Sequence, residues 1–243
     1  ICCLTHNHTW KICFIMKESQ PKPDYLYHDQ AYQAKRNAGF PGWDTEDVIQ
    51  QSICEMSSFL DKISLSDSSN VLDIGCGAGN LSFWLESRGF QVCGTDISHQ
   101  AIEWAKEKGE LQSSKVSFIT SDATNNLPYP NNFFDIVIDN HCLHCIIGAD
   151  RIRYLRNIVS VLKPGGFYLL SSMCCEFPYP EGLEGFDTNS KCIFCKGFPV
   201  RYLGTRKEIL SEIENASLQI IEHTEQIGQD RMNDLIVIAQ KVK

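Results

Sequence analysis

The sequence lacks a long uninterrupted run of apolar residues. No run approaches the roughly 20 residues that a membrane-spanning helix needs, so we expect no membrane segment. The first stretch, ICCLTHNHTWKICFIM, has neither the apolar run nor the small-residue cleavage site of a signal peptide. Because the first methionine is Met16, we expect residues 1–15 not to be native to the working protein.

An excess of positive charge is also missing. The chain has 22 basic and 30 acidic residues, a formal net charge of -8. Proteins that bind long nucleic acids neutralise phosphates with clustered lysine and arginine. Only short basic groupings occur here, within 151–156 and 201–207, so the composition disfavours a nucleic-acid partner.

Cysteine, in contrast, is abundant, with 12 residues in 243. Disulfide frameworks are typical of short secreted chains with small cores, whereas a chain of this length buries a full core. We therefore predict reduced thiols and a cytoplasmic location. Two CxxC pairs, Cys142 with Cys145 and Cys192 with Cys195, leave zinc as an alternative. The long gap between them does not match a compact zinc module, and we predict no metal site; a thiophilic acceptor stays open.

Strand and helix patterns alternate along most of the chain. Helical spacing or end signals predict helices from Asp44 or Thr45 to about Ile63, from Ser98 to Gly109, and around 150–162. Seven short apolar runs predict strands; they are NVLDIG, QVCGTDI, KVSFITSD, FFDIVID, FYLLSSM, LQIIEHT and DLIVIAQ.

This alternation predicts an α/β fold with a Rossmann-like, seven-stranded, mostly parallel sheet and helices on both faces. The last two strands follow each other closely, which predicts one antiparallel edge strand. We expect one domain over 45–243. Residues 1–44 would form an N-terminal extension that covers the site as a lid, and the non-periodic stretch 174–204 would form an insertion on the substrate side.

A glycine loop, VLDIGCGAGN at 71–80, lies between the first of these strands and a helix. Glycines at such a turn let the backbone approach a ligand at the carboxyl ends of the strands. In the dinucleotide fingerprint the third glycine would come one residue later, and Asp73 beside the loop would repel a pyrophosphate. That carboxylate suits a ligand with an ammonium and a sulfonium. Asp96 and Asp122 end the next two strands, where they could bind ribose hydroxyls and an adenine amino group.

In their order, the motifs DxGxGxG, GTDIS, SDA, FFDIVIDN and LKPGG over roughly 68–173 resemble the class I S-adenosylmethionine-dependent methyltransferases. The similarity is greatest to the small-molecule group that includes the ubiquinone-biosynthesis type. It implies S-adenosylmethionine as the cofactor. The cofactor-binding residues it implies are Asp73, Gly75, Cys76, Gly77, Gly79, Asp96, Ile97, Asp122, Ala123, Asp139 and Asn140.

Methyl transfer from a sulfonium is an in-line displacement that needs alignment and exclusion of water. A base is needed only if the acceptor still carries a proton. The stretch DNHCLHC at 139–145 holds the candidate catalytic residues, His141 and Asp139. We expect the substrate to meet Tyr27, Trp43, His144 and Tyr202, while Arg201 either pairs with an acidic substrate or is solvated.

The predicted function is therefore methyl transfer from S-adenosylmethionine to a small-molecule acceptor. Three alternatives stay open: a protein or RNA methyltransferase, a nicotinamide-dependent oxidoreductase, and a non-catalytic binding protein with the same fold. The absence of a (D/N)PP(Y/F) motif at the fourth strand disfavours DNA and protein amine substrates. The oligomeric state is left open.

Overall fold

The structure is a computed structural model that describes residues 22–175, 183–227 and 233–242. The predicted strands and helices follow one another in the expected order. The helices are α1 (Tyr27–Asn37), α2 (Glu46–Leu60), α3 (Asn80–Ser87), α4 (His99–Leu111), α5 (Asp150–Val161) and α6 (Arg206–Asn215). The strands are β1 (Asn70–Ile74), β2 (Gln91–Asp96), β3 (Ser117–Thr120), β4 (Phe134–Asn140), β5 (Leu162–Cys174), β6 (Phe186–Asp187), β7 (Cys192–Cys195), β8 (Phe198–Tyr202), β9 (Leu218–Ile227) and β10 (Asn233–Lys241).

A seven-stranded sheet with the order β3-β2-β1-β4-β5-β10-β9 forms the centre of the fold. Strands β1 to β5 pair in parallel, and β10 is antiparallel to both of its neighbours, β5 and β9. The predicted fold class, a mostly parallel sheet with antiparallel pairing at one end, is confirmed. The antiparallel strand β10 is the second strand from one side of the sheet. Because it runs opposite to β5, its first residues lie at the end of the sheet where the parallel strands have their carboxyl ends.

Alternate residues of the strands pack on opposite faces of this sheet. On one face, Leu72 and Val137 belong to a core cluster that includes Leu155 of α5 and Ile213 of α6. On the other, neighbouring strand residues pack with α2 and α3, represented by Met56 and Leu85. Both faces are thus covered by helices, as the almost continuous apolar strands require.

Two predicted boundaries differ in the structure. Helix α4 does not end at Gly109 but continues to Leu111. Gly109 is buried, and a Cβ placed on it would lie 3.6 Å from the Phe83 ring, an ordinary packing distance, so this glycine packs inside the helix instead of ending it. Helix α2 ends at Leu60, before Ile63.

The stretch 174–204 contains regular structure that its sequence does not indicate. Strands β6, β7 and β8 form a second, antiparallel sheet, with β7 in the middle. These strands are two to five residues long, too short to show the alternation that identifies a strand. None of the helices described is long and apolar enough to cross a membrane.

Candidate active site

A cavity of about 420 Å³ opens at the edge where β1, β2 and β4 end. Cα pairing places Ile74 beside both Thr95 and Asp139, so these three strands finish level with one another. The wall also includes residues of α1, the α1–α2 connection, β8 and the start of β10. The cavity therefore lies at the position where open α/β sheets bind ligands.

The glycine loop forms the floor of this cavity. Gly75 and Gly77 have φ values of 74° and 53°. A Cβ on Gly75 would lie 2.7 Å from Cys142 Cβ, and one on Gly77 would lie 2.4 Å from the Tyr32 hydroxyl. Only glycine fits this backbone at both positions. The cradle leaves the loop's peptide groups close to whatever occupies the cavity.

Gly79 does not line the cavity, which corrects the prediction for this residue. It precedes α3 with φ 78°, and a Cβ on it would lie 2.7 Å from the Phe118 ring. Gly79 therefore shapes the turn into the helix, whereas Asp73, Gly75, Cys76, Gly77, Ala78 and Asn80 of the motif line the cavity.

Asp96 is held by the backbone at the end of β2. The Gly77 N–H donates to its Oδ2 at 3.0 Å, and the Ser98 N–H donates to its Oδ1 at 2.8 Å. Burial raises the pKa of Asp96 to about 6, against the lowering effect of these two hydrogen bonds. Each oxygen keeps a lone pair that can accept a hydroxyl donor from the cavity.

Asp73 lies at the same end of the cavity. Ser82 Oγ donates to its Oδ2 at 2.5 Å. Burial raises the pKa of Asp73 to about 7, with further raising effects from Asp96 and Asp139. Two buried carboxyl groups beside one glycine loop favour a positively charged ligand, because a cation stabilises their ionised forms.

The remaining predicted cofactor residues, Ile97, Asp122, Ala123 and Asn140, also line the cavity. Asp122 is fixed by Thr124, whose N–H and Oγ1 donate to Oδ1 at 2.8 and 2.7 Å. Thr95 Oγ1, in the same wall, is buried without a hydrogen-bond partner in the described part of the chain. An unsatisfied hydroxyl, a glycine cradle and a ring of carboxylates fit a polar, cationic cofactor with sugar hydroxyls.

Asp139 is the main correction among the predicted catalytic residues. It is fully buried and is not part of the cavity wall. Its Oδ2 accepts from the Tyr154 and Tyr168 hydroxyls at 2.6 and 2.9 Å, and its Oδ1 accepts from the Cys142 and Leu143 N–H groups at 2.8 and 3.2 Å. Because both oxygens are engaged by the protein, Asp139 shapes the turn after β4 and does not reach a ligand.

His141, in contrast, faces the cavity. Its backbone has φ 71°, a left-handed conformation that is uncommon for residues other than glycine, and its N–H donates to Ser171 O at 2.8 Å. The buried Nδ1 has no hydrogen-bond partner in the described part of the chain and lies 3.8 Å from Asp234 Oδ1. The separation of 3.8 Å is too long for a hydrogen bond, but it leaves the carboxylate near enough to attract a proton on this nitrogen.

Sequence reasoning did not find Asp234. A signal was available, because the first residues of an antiparallel strand reach the same edge as the carboxyl ends of parallel strands. The predicted antiparallel edge strand was not assigned to LQIIEHT or to DLIVIAQ, so the prediction did not place Asp234 beside the site.

His144 lines the cavity as predicted but is almost fully buried. Its Nδ1 accepts from the Met173 N–H at 3.3 Å. Burial, and next the positive charge of Arg201, hold its pKa well below the ordinary value. His144 is consequently a neutral ring in the wall.

Residues of the N-terminal extension cover the cavity. Tyr25, His28, Tyr32 and Trp43 line it, and Trp43 is the one of these four that was predicted as a substrate residue. Asp29 of α1 fastens this cover, because its Oδ1 accepts from Ser98 Oγ and the Gln100 N–H at 2.8 and 2.9 Å.

The other two predicted substrate residues lie elsewhere. Tyr27 points into a separate, smaller cavity beside Cys195 and Lys196. The Tyr202 ring lies 4.5 Å beneath the Arg151 guanidinium, outside the main cavity. The side chains of neighbouring residues in α1 and β8 point in different directions, so Tyr25, His28 and Arg201 reach the cavity instead.

Three cysteines, Cys76, Cys142 and Cys145, also belong to the cavity wall. Burial raises the pKa of each thiol, so all three are protonated at neutral pH. The second CxxC pair lies in β7, apart from them. Within the residues described, no group of three or more His, Cys, Asp or Glu could hold a metal ion.

Known proteins with similar sequences or structures include several methyltransferases. A family model for a methyltransferase domain matches residues 72–170. Phosphoethanolamine N-methyltransferase 1 of Triticum aestivum is 34% identical over 117 residues, 48% of this chain and 23% of that protein. Methyltransferase GfsG of Streptomyces halstedii is 28% identical over 218 residues, 84% of this chain and 76% of that protein.

A solved structure extends the similarity to most of the fold. The 1,6-didemethyltoxoflavin-N1-methyltransferase of Burkholderia thailandensis, crystallised with 1,6-didemethyltoxoflavin and S-adenosylhomocysteine, aligns with a TM-score of 0.68 and 18% identity. The alignment covers 88% of this chain and 85% of that one, and it establishes the fold. The chain spans about a quarter to a third of the phosphoethanolamine methyltransferases that it matches.

Proposed function

Because a family model for a methyltransferase domain matches residues 72–170, we propose that the chain is a class I S-adenosylmethionine-dependent methyltransferase that transfers a methyl group to a small-molecule acceptor. The observation that carries this proposal is the pair of buried carboxyl groups, Asp73 and Asp96. They lie beside a loop in which no other residue could replace Gly75 or Gly77. A nicotinamide dinucleotide would bring a pyrophosphate to this acidic end of the cavity. A sulfonium and an ammonium are attracted to it.

We assign the cofactor contacts by the chemistry of the wall. Asp96 would bind the ribose hydroxyls, Asp73 and the first two loop glycines would hold the methionine portion, and Asp122 with its neighbours would hold the adenine. When bound, S-adenosylmethionine supplies a methyl group on a sulfonium, a leaving group that needs no acid from the protein. The protein's own task is to hold the acceptor in line and to exclude water.

His141 would serve as the base for an acceptor that carries a proton. Its ring lies in the cavity wall, and Asp234 lies within 3.8 Å of Nδ1. An aspartate at that nitrogen favours the tautomer that leaves Nε2 unprotonated and able to take a proton. The proton would pass from the acceptor atom to Nε2 of His141, and the cofactor, when bound, would supply the methyl group and keep the electron pair of the broken carbon–sulfur bond on its sulfur.

We further propose that the acceptor is a small molecule and that the segments covering the cavity select it. We also propose that the protein acts in the cytoplasm. The extension, described from residue 22, and the insertion, described from residue 183, both contribute to the wall; their remaining predicted parts, 1–21 and 176–182, lie outside the described residues. A cavity of about 420 Å³ is typical of small-molecule sites. The similar proteins named for phosphoethanolamine and 1,6-didemethyltoxoflavin support this choice. The acidic composition argues against a nucleic-acid substrate, and the abundance of thiols argues for a reducing compartment.

The test is to incubate the purified protein with methyl-labelled S-adenosylmethionine and the low-molecular-weight fraction of a cell extract. We expect label in a small molecule. Asp96→Asn should weaken binding of S-adenosylhomocysteine about tenfold or more, because an amide cannot accept both backbone N–H groups, and should abolish labelling. Asp47→Asn, at an exposed position of α2, is the matched control.

Two results would contradict the proposal. Label in protein or RNA would replace the small-molecule substrate with a macromolecular one. Binding of NAD without binding of S-adenosylhomocysteine would favour an oxidoreductase.

A further inference from the structure

Arg201 is the one strongly basic side chain in the cavity wall formed by the described residues. It projects from β8, whose register pairs it with Ile193 of the central strand of the second sheet. The guanidinium lies 5.9 Å from the Trp43 ring. The insertion and the N-terminal cover therefore meet at this side chain, on the wall of the cavity.

The Arg201 guanidinium has no carboxylate partner in the described part of the chain. Its Nη1 donates to the carbonyl of Val200 at 2.8 Å. Arg151 shows the contrast, because its guanidinium is bound by Glu212 through both Nε and Nη2. Arginine in a half-buried place is normally paired, because its five donors are expensive to leave unsatisfied.

Two histidine side chains in the same wall as Arg201 are neutral and do not compete with it for an anion. His28 and His144 are both in the same wall, and burial followed by other effects, including the charge of Arg201, lowers the pKa of each. Both rings are neutral at pH 7 and can serve as hydrogen-bonding neighbours. Asp44 and Asp234 are the acidic residues of the cavity away from the glycine loop, and Asp234 is directed to His141 and not to Arg201.

The cavity is thus electrostatically divided. Asp73, Asp96 and Asp122 lie at the glycine-loop end, and the Arg201 guanidinium, which has no carboxylate partner among the described residues, lies in the wall formed by the covers. We propose that the methyl acceptor carries an anionic group, a carboxylate or a phosphate, that Arg201 binds with its planar fork of N–H donors. This inference rests on the proposed function and adds the chemical class of the acceptor.

Geometry and charge favour this ligand over a cationic one. A carboxylate or phosphate accepts two parallel hydrogen bonds from a guanidinium, which fixes the acceptor's orientation as well as its position. Anchored by its anionic end at β8, the acceptor would extend toward His141, which lies on the turn after β4. A cationic acceptor would leave Arg201 unpaired and would be repelled by it.

The experiment measures the charge of the labelled product. The low-molecular-weight fraction is labelled as described above, and the product is applied to a strong anion exchanger at pH 8 before and after phosphatase treatment. We expect a product that the exchanger retains. Loss of retention after phosphatase identifies a phosphate monoester, and unchanged retention identifies a carboxylate.

Variants separate the anchor from the cofactor site. Arg201→Gln should reduce labelling at limiting acceptor about tenfold to a hundredfold, with the Kd for S-adenosylhomocysteine within twofold of the original. Arg201→Lys keeps the positive charge but loses the planar fork of N–H donors. Its labelling rate should lie between those of Arg201→Gln and the original protein. Arg156→Gln, an exposed arginine of α5, is the matched control and should label at the original rate.

The outcomes distinguish this inference from the function on which it rests. A labelled small molecule that passes through the exchanger, together with full activity of Arg201→Gln, would overturn the anionic acceptor and leave the methyltransferase intact. If the cofactor binds but no small molecule is labelled, the proposed function fails and this inference fails with it.

Discussion

Burial raises the pKa of Asp73 to about 7 and that of Asp96 to about 6. In the protein without cofactor, Asp73 is largely protonated at pH 6 and loses its proton as the pH rises through 7. A cationic ligand stabilises the ionised carboxylates and so lowers both pKa values. Binding and deprotonation are therefore linked.

We predict that the affinity for S-adenosylmethionine rises about tenfold to a hundredfold between pH 5.5 and 7.5, because binding releases the protons that the free carboxyl groups hold at low pH. Calorimetry at pH 6.5 in two buffers with different ionisation enthalpies measures that release directly. Asp73→Asn, which cannot ionise, should reduce the number of protons released. An affinity independent of pH would show that neither carboxyl group responds to the ligand's charge.

At His141, the proposed role as a base predicts a change in rate and none in cofactor binding. His141→Gln should lower kcat about a hundredfold for an acceptor that must lose a proton, with the Kd for S-adenosylhomocysteine unchanged.

Asp234→Asn should give a smaller loss of kcat, since Asp234 acts through His141. His99→Gln, at an exposed position of α4, is the matched control. A His141→Gln variant with the original kcat at every pH would remove the base from the mechanism.

At the residue scale, the sequence located the cavity wall better at the glycine loop than in the segments that cover the cavity. Asp96 and the first two loop glycines are set by local backbone geometry, which the spacing of a motif encodes. Tyr27 and Tyr202 were wrong as cavity residues because an aromatic residue in an irregular segment gives no information about which way its ring points. The prediction for Asp139 differs from the structure for another reason. A carboxylate at a strand end can also accept hydrogen bonds from the backbone N–H groups of the turn that follows it.

At the scale of elements, α1 is a cover held against α4 by an ion pair between Arg36 and Glu107 and by hydrogen bonds to Asp29. Asp29 accepts hydrogen bonds from the Ser98 hydroxyl and the Gln100 N–H, and so caps α4 from outside that helix. The same helix presents Tyr32, whose hydroxyl lies against Gly77. Attachment of α1 therefore determines whether the glycine loop is closed.

Asp29→Ala should detach the cover without disturbing the sheet. We expect the affinity for S-adenosylhomocysteine to fall about tenfold, because two hydrogen bonds to a carboxylate are lost. Hydrogen exchange should become faster in α1 and unchanged in β1 and β4. Gln30→Ala, at the next, exposed position of the helix, is the control, and equal affinity for the two variants would contradict the role of Asp29.

The second sheet marks the limit of sequence reasoning about elements. Its strands are stabilised by pairing with one another, and the longest has five residues. Periodicity needs a longer window to become visible. The strands of the main sheet were predictable for the opposite reason, because burial on both faces makes each one a continuous apolar run bounded by turn residues.

At the scale of the whole molecule, one buried arginine joins the parts that carry the site. Arg151 of α5 binds Glu212 of α6, with Nη2 2.6 Å from Oε2. Its Nη1 donates to the carbonyls of Leu143 and Ile146 at 2.6 and 3.1 Å, in the turn that follows His141. The Tyr202 ring packs beneath the guanidinium and links the second sheet to the same centre.

Glu212→Gln tests whether this junction holds the site together. The Arg151 side chain is 4% exposed and that of Glu212 is 29% exposed, so the variant leaves a nearly buried charge without its partner. We expect a loss of about 2–3 kcal/mol of unfolding free energy, seen as a Tm about 5–10 °C lower. Glu214→Gln on the exposed side of the same helix should leave Tm nearly unchanged.

Because Arg151 also holds the turn after β4, Glu212→Gln should reduce kcat below the unfolding temperature, while the Kd for S-adenosylhomocysteine, set on the β1 and β2 side, stays the same. A lower Tm with full kcat would mean that the junction stabilises the fold without positioning His141.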